Sequence, residues 1–136
     1  MNKLHLILIS LFAPLAIQAQ CDGTAAKCAQ HISEQYISDG QSYRALLNGP
    51  DIAEFRTTLF GGNTYRVAAC TGETDGAITF RLYDQDRNLL FTSADFGNSP
   101  YWDFVLESTM LVTIEASLDE TRVPSGCAVL VIGFKK

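Results

Sequence analysis

The sequence has no apolar run long enough to span a membrane, no surplus of basic residues and no CxxC pair. A membrane-spanning helix needs about 20 apolar residues, but the longest run here, from Leu4 to Ile17, has 14 positions and includes Pro14. Fifteen acidic residues outnumber ten basic ones. The chain therefore lacks the cationic surface that nucleic acid or anionic lipid would need. Because the apolar run is short, we also expect no transmembrane segment after processing.

The N-terminus instead predicts a secretory signal peptide, because a single lysine precedes the apolar run. Cleavage after Ala19 would leave 117 residues that begin with Gln20 and Cys21. Lipidation of Cys21 is the disfavoured alternative. Lipoprotein processing requires a small residue before the cysteine, whereas this chain has Gln20 there. We expect residues 1–19 to be removed and the protein to be secreted or periplasmic.

All four cysteines lie after the expected cleavage site, and an even count in an exported chain predicts two disulfides. Structural zinc is the weaker alternative, because the separations of 7, 42 and 57 residues hold no close ligand pair. Of the three possible pairings we favour Cys21–Cys28 with Cys70–Cys127. In that pairing Cys21 must precede the helix, since seven helical residues would separate it from Cys28 by about 10.5 Å.

One amphipathic helix pattern is present, from Thr24 to Ser38, and strand patterns follow it. Cys28, Ile32 and Tyr36 recur every four residues on one helix face. We expect an N-terminal helical segment at 20–40 and one β domain at 41–136. The expected strands are 43–47, 52–60, 64–70, 78–83, 89–93, 101–107, 109–117 and 127–135. Closely spaced strands without intervening helices predict an all-β fold: an antiparallel, jelly-roll-like β-sandwich of about eight strands.

Two hairpins are expected from alternating apolar and polar residues around turn sequences. The first joins 52–60 to 64–70 through Gly61-Gly62-Asn63, and the second joins 78–83 to 89–93 through a polar turn. Alternation also places Trp102 with Phe104 and Leu106 on one strand face. That grouping predicts a core role for Trp102 and leaves Tyr101 and Asp103 on the opposite face.

Three short strings resemble a known family. They are Gly-x-x-Tyr at 62–65, Leu-Tyr-Asp-x-x-x-Asn-Leu-Leu at 82–90 and the apolar strand at 112–116. Together they resemble the bacterial pre-peptidase C-terminal domain over roughly residues 43–134. The resemblance implies a β-sandwich that serves as a non-catalytic accessory module of secreted bacterial proteins. This sequence departs from that pattern in its cysteines, and we expect it to stand without an enzyme domain.

No residue pattern predicts a catalytic centre. His31 is the one histidine after the expected cleavage site, Cys70 is better used in a disulfide, and no GxSxG motif occurs. Carboxylate pairs such as Asp103 and Glu107 lie in no recognisable setting, although hydrolysis by two carboxylates stays an alternative. We expect no enzyme activity, no cofactor and no catalytic metal.

Two local patterns suit ligand binding. Asp84, Asp86 and Asn88 have the opening spacing of a calcium loop, but the glycine and glutamate expected at its later positions are missing. A polar hairpin turn explains the same residues. Tyr101 and Asp103 are the possible ligand-binding pair, with the tyrosine ring as a platform for sugar stacking.

The predicted function is therefore a disulfide-stabilised, non-catalytic binding or interaction module with a protein or glycan partner. Exposed loops at 71–76, 94–100 and 118–126 are the expected recognition surface, because rigid sandwiches commonly bind through their loops. Carbohydrate binding is the first alternative, and a small secreted hydrolase that uses carboxylates is the second.

Overall fold

A computed structural model of the chain describes residues 13–32, 34–72 and 74–135. The first twelve residues of the expected signal peptide lie outside this description, and cleavage after Ala19 stays a prediction. None of the helices in the described residues is long and apolar enough to cross a membrane. The elements are α1 (Ala13–Ala29), β1 (Ile37–Asn48), β2 (Ile52–Leu59), β3 (Asn63–Cys70), β4 (Ile78–Tyr83), β5 (Leu89–Thr92), a 3-10 turn (Ser93–Phe96), β6 (Tyr101–Leu106), β7 (Met110–Leu118) and β8 (Ser125–Lys135).

The eight strands form two four-stranded antiparallel sheets. Sheet A has the order β1-β8-β3-β6, and sheet B has the order β2-β7-β4-β5. Contacts of β1 with β2, β8 with β7 and β3 with β4 stack the sheets strand over strand. This is the eight-stranded, two-sheet jelly roll, so the predicted all-β antiparallel sandwich is confirmed.

The core lies between the sheets and is filled by the inward faces of the strands. Phe80 and Ile114 from sheet B and Val67 from sheet A are fully buried. Trp102 packs against this core, with ring centroids 5.1 Å from Phe91 and 4.2 Å from Phe96. The predicted core role of Trp102 is therefore confirmed. Together with Phe91 and Phe96, its ring fills the side of the sandwich between β5 and β6.

The first predicted hairpin is wrong, whereas the second is confirmed. The strand β2 pairs with β7 in sheet B, and β3 pairs with β6 and β8 in sheet A. The glycine turn at 61–62 therefore carries the chain from one sheet to the other. Its backbone is held by the turn after β6, because Gly62 N donates to Leu106 O at 2.7 Å and Gly61 N donates to Thr109 Oγ1 at 3.0 Å. The strands β4 and β5 do pair as a hairpin.

The helix differs in extent from the predicted Thr24–Ser38. It ends at Ala29, and β1 begins at Ile37, inside the segment expected to be helical. The cause is packing on the outer face of sheet A. A Cβ at Gly133 of β8 would lie 2.8 Å from Ile32 Cγ2 and 3.0 Å from Tyr36 Cβ. The chain after α1 therefore lies directly on β8, at a position where a residue larger than glycine would collide with it.

Both cystines join α1 to sheet A, so the favoured pairing is wrong. The bonds are Cys21–Cys127 and Cys28–Cys70, with Cα–Cα distances of 5.4 and 5.7 Å. All four cysteines are paired, as expected. Cys21 lies within α1 rather than before it. Seven residues of helical rise keep it about 10.5 Å from Cys28, and each cysteine bonds to the strand beneath it.

Candidate functional site

The predicted ligand pair, Tyr101 and Asp103, lies on the outer face of sheet A beside the end of α1. The β3–β6 register sets Arg66 directly opposite Asp103, and Ala68 opposite Tyr101. The segment that follows α1 brings Tyr36 onto the same face, where Arg66 lies 4.6 Å from its ring centroid. We call Tyr36, Arg66, Tyr101 and Asp103 the Arg66 cluster.

The Arg66 guanidinium is the centre of this cluster. Its Nε and Nη2 donate to the two carboxylate oxygens of Asp103 at 2.7 and 2.9 Å, and its Nη1 donates to His31 O at 3.1 Å. The Tyr101 ring centroid lies 4.2 Å from its Cζ. A bidentate ion pair between aromatic rings is a rigid arrangement. Sequence reasoning missed Arg66. The alternation of β3 does place Arg66 on the strand face that points away from the buried side chains of Tyr65 and Val67.

The electrostatics of the cluster suit structure rather than acid–base catalysis. Hydrogen bonds from Arg66 lower the pKa of Asp103, and the same bonds raise the pKa of Arg66. Burial, with a further contribution from Asp103, raises the pKa of Tyr36. A general acid needs a proton at neutral pH, whereas Asp103 is held ionised. Tyr101 remains 36% exposed, so one part of its ring is open to solvent.

His31 lies near both the Arg66 cluster and the Cys28–Cys70 disulfide. Its Nε2 is 3.1 Å from Asp75 Oδ1, and its ring centroid is 5.6 Å from that of Tyr101. The Cys70 sulfur is also near, since the potential ligand atoms of His31, Cys70 and Asp75 lie within 4.8 Å of one another. Cys70 is bonded to Cys28, so it offers no thiolate nucleophile to the imidazole.

The possible calcium motif forms the turn of the β4–β5 hairpin. Asp84 Oδ1 accepts hydrogen bonds from the backbone N–H groups of Asp86 and Asn88 at 2.9 and 2.8 Å, and Oδ2 accepts from Asn88 Nδ2 at 2.9 Å. These bonds lower the pKa of Asp84. Both oxygens are therefore engaged in fixing the turn, which accounts for the D-x-D-x-N spacing without a cation.

Two carboxylates face each other on the outer face of sheet B. Glu54 of β2 lies directly opposite Glu115 of β7, and Arg87 contacts both carboxylates. Its Nη1 is 3.8 Å from Glu54 Oε1, and its Nη2 donates to Glu115. The hydrogen bond with Glu115 raises the pKa of Arg87. Both carboxylates are engaged in ion pairs, so neither stands free to protonate a leaving group.

A groove opens between the edge strands β1 and β2 and has a volume of about 470 Å³. Tyr43 and Phe134 contribute aromatic walls, exposed Phe60 stands at one side, and Asp39 and Gln41 add polar groups. This size lies within the range of small-molecule sites. The groove was not predicted, because its two walls come from different sheets.

The three loops predicted for recognition meet at one end of the sandwich. Asp119 N donates to Ala77 O at 2.9 Å, and Asn98 Nδ2 donates to Gly76 O at 3.5 Å. The β1–β2 turn joins them, because Gly49 N donates to Pro124 O at 2.9 Å. We call this surface the loop end; it comprises residues 49–51, 71–72, 74–77, 93–100 and 119–124.

The loop end is acidic and partly ordered by its own hydrogen bonds. Asp119 Oδ1 accepts from Thr121 N and Oγ1 at 3.1 and 2.6 Å, which lowers the pKa of Asp119. Arg122 is the one basic residue within the residues just defined. Five carboxylates accompany it, from Asp51, Asp75, Asp95, Asp119 and Glu120.

No protein-family model and no curated protein matches the sequence. Among solved structures, the fold is similar to that of PliG from Aeromonas hydrophila, a periplasmic lysozyme inhibitor of g-type lysozyme. The TM-score is 0.54 and the sequence identity is 13%, over 76% of this chain and 90% of the inhibitor. At this identity the likeness shows a shared fold.

Proposed function

We propose that this chain is an exported, non-catalytic module that binds another protein through its loop end. The observation that carries the proposal is the convergence of the predicted recognition loops into one hydrogen-bonded, acidic surface. Two disulfides hold α1 to sheet A. Such bonds are typical of proteins from oxidising compartments. A rigid surface loses little conformational entropy on binding.

The charge of the loop end favours a partner with a cationic surface. Five carboxylates face one arginine there, and complementary charge accelerates association and makes it sensitive to salt. The similar structure is named as an inhibitor of g-type lysozyme, and an inhibitor acts by binding a protein. A g-type lysozyme is therefore the first partner to test.

The test measures binding and lysis together. The oxidised full chain is expressed with its own N-terminus, purified from the exported fraction and titrated against a g-type lysozyme. Lysis of a peptidoglycan suspension and surface plasmon resonance report inhibition and affinity, and a c-type lysozyme serves as the comparison. We expect saturable binding to the g-type lysozyme, and we expect this binding to weaken as the salt concentration rises. The absence of binding to either enzyme, and to other cationic envelope proteins, would contradict the proposal.

Matched variants locate the surface. Asp95→Asn with Glu120→Gln removes two charges from the loop end, and Asp86→Asn with Glu107→Gln removes two from turns at the opposite end. The first pair should slow association about tenfold at low salt, while the second should change it little. Equal effects of both pairs would mean that overall charge, not the loop end, drives binding.

Glycan binding is the second candidate, and the groove between β1 and β2 supports it. Tyr43, Phe60 and Phe134 supply ring faces beside the polar groups of Asp39 and Gln41. Tyr101 is less suited, because Arg66 already lies over its ring. Affinity electrophoresis in soluble glycans separates the two sites: Tyr43→Ala should abolish retardation and Tyr101→Ala should preserve it. Retardation lost only in Tyr101→Ala would return the glycan site to the Arg66 cluster.

A further inference from the structure

Four side chains with the chemistry of zinc ligands converge where α1 ends on sheet A. The turn after α1 continues with i→i−3 bonds, because His31 N donates to Cys28 O at 3.0 Å. Cys28 and His31, three residues apart, therefore share one side of the chain. Cys70 ends β3, and the following loop returns Asp75 to within 3.1 Å of His31 Nε2.

We propose that the reduced chain binds one Zn²⁺ through Cys28, His31, Cys70 and Asp75. Two thiolates, an imidazole and a carboxylate are ligands that zinc takes in tetrahedral sites. The potential ligand atoms of His31, Cys70 and Asp75 already lie within 4.8 Å of one another, and the sulfur of Cys28 is bonded to that of Cys70. Tetrahedral zinc needs separations of about 3.3–3.8 Å between ligand atoms, so the atoms of His31, Cys70 and Asp75 need shifts of about an ångström. The Cys28 sulfur moves apart from that of Cys70 once their bond is broken.

The surroundings leave the site open to solvent on one side and fix the backbone of two of its ligands by hydrogen bonds. Cys28 and Cys70 are buried, whereas Asp75 is 53% exposed, so an ion can enter from solvent. Arg66 Nη1 holds the His31 carbonyl at 3.1 Å, and Arg122 Nη1 holds the Asp75 carbonyl at 3.5 Å. Such contacts fix the backbone from which ligands project.

Zinc and the disulfide exclude each other, because a sulfur in a disulfide is not a thiolate ligand. A phosphine reductant and one water convert the Cys28–Cys70 bond into two thiols and a phosphine oxide. Zn²⁺ then binds both sulfurs as thiolates and releases two protons. The site thus belongs to the chain before oxidation, and bound zinc should slow formation of this bridge.

The test uses Cys21→Ser with Cys127→Ser, in which only the bridge of the proposed site remains. Circular dichroism first tests whether the reduced variant retains its β fold, and metal analysis and cobalt substitution follow. We expect one Zn²⁺ per reduced chain, the sulfur charge-transfer and visible bands of tetrahedral Co²⁺, and none of these in the oxidised protein. Zinc should also protect Cys28 and Cys70 from alkylation.

Ligand variants decide whether the site is the one proposed. His31→Ala and Asp75→Asn should each weaken zinc binding about tenfold or more, while Asp51→Asn, an exposed acid at the loop end, should leave it unchanged. Cys28→Ser with Cys70→Ser keeps the other bridge and should bind no zinc. Unchanged affinity in the His31 and Asp75 variants would overturn the proposal, as would a reduced chain that unfolds or stays folded without binding metal.

Discussion

Removing either disulfide should destabilise the fold by a similar amount, because the two bridges are nested. The Cys28–Cys70 bridge closes 42 residues, which corresponds to about 3.9 kcal/mol in the chain-entropy model. The Cys21–Cys127 bridge spans 106 residues. The inner bridge shortens this to an effective loop of about 65 residues, or about 4.3 kcal/mol. Each double serine variant should therefore lose up to about 4 kcal/mol, or about 15 °C in Tm.

Urea unfolding of the two variants, compared with the parent protein at equal pH, measures these losses. A thiol titration of the denatured proteins gives an independent test of the pairing. Cys21→Ser with Cys127→Ser should contain no free thiol, since the remaining cysteines are bonded to each other. Two thiols per chain would refute the pairing and with it the loop lengths. Losses that differ by more than about 2 kcal/mol would refute the nested-loop reasoning.

Three further perturbations test the core, the crossing turn and the Arg66 cluster. Phe80→Ala should cost about 3–5 kcal/mol in urea unfolding, while the exposed Phe60→Ala should stay within about 0.5 kcal/mol. Gly61→Ala should lower the free energy of unfolding by about 1–3 kcal/mol, because its Cβ would lie 2.9 Å from Glu107 O and Ser108 Cα. Gly62→Asn should lower it less, because asparagine tolerates the φ of +82° there and a Cβ at this position meets no atom within 4 Å. The folded-state pKa of Asp103 is lowered, so its stabilisation is present above its unfolded pKa of about 3.9 and is lost as pH falls through the folded value. The stability gap to Asp103→Asn should therefore narrow below about pH 4, and a constant gap would contradict this.

The strands and their inward faces could be predicted because alternation is a local property. In β2 the predicted inner positions Phe55, Thr57 and Leu59 are the less exposed ones, and the same holds for Ile78, Phe80 and Leu82 in β4. Burial against one core imposes this period whichever strand lies alongside. Sequence therefore predicts well where a strand is and which way it faces.

The end of the helix and the disulfide pairing depend on tertiary contacts that no local pattern reports. Residues 30–38 carry a helical period, but Gly133, about a hundred positions away, gives Ile32 and Tyr36 a place on the sheet. The Arg66–Asp103 pair likewise needs the β3–β6 register. The two residues are 37 positions apart, so the centre of the cluster could not be predicted from either strand alone.

The wrong hairpin has the most general cause, because a tight glycine turn is compatible with two topologies. A turn at 61–62 can join neighbours in one sheet or pass from one sheet to the other, and alternation is identical in both cases. What selects the crossing is its contact with the turn after β6, where Gly61 and Gly62 donate to Thr109 and Leu106. Every connection except β4–β5 crosses in this way. Successive crossings gather the loops at the two ends of the sandwich, and the acidic loop end is a consequence of that topology.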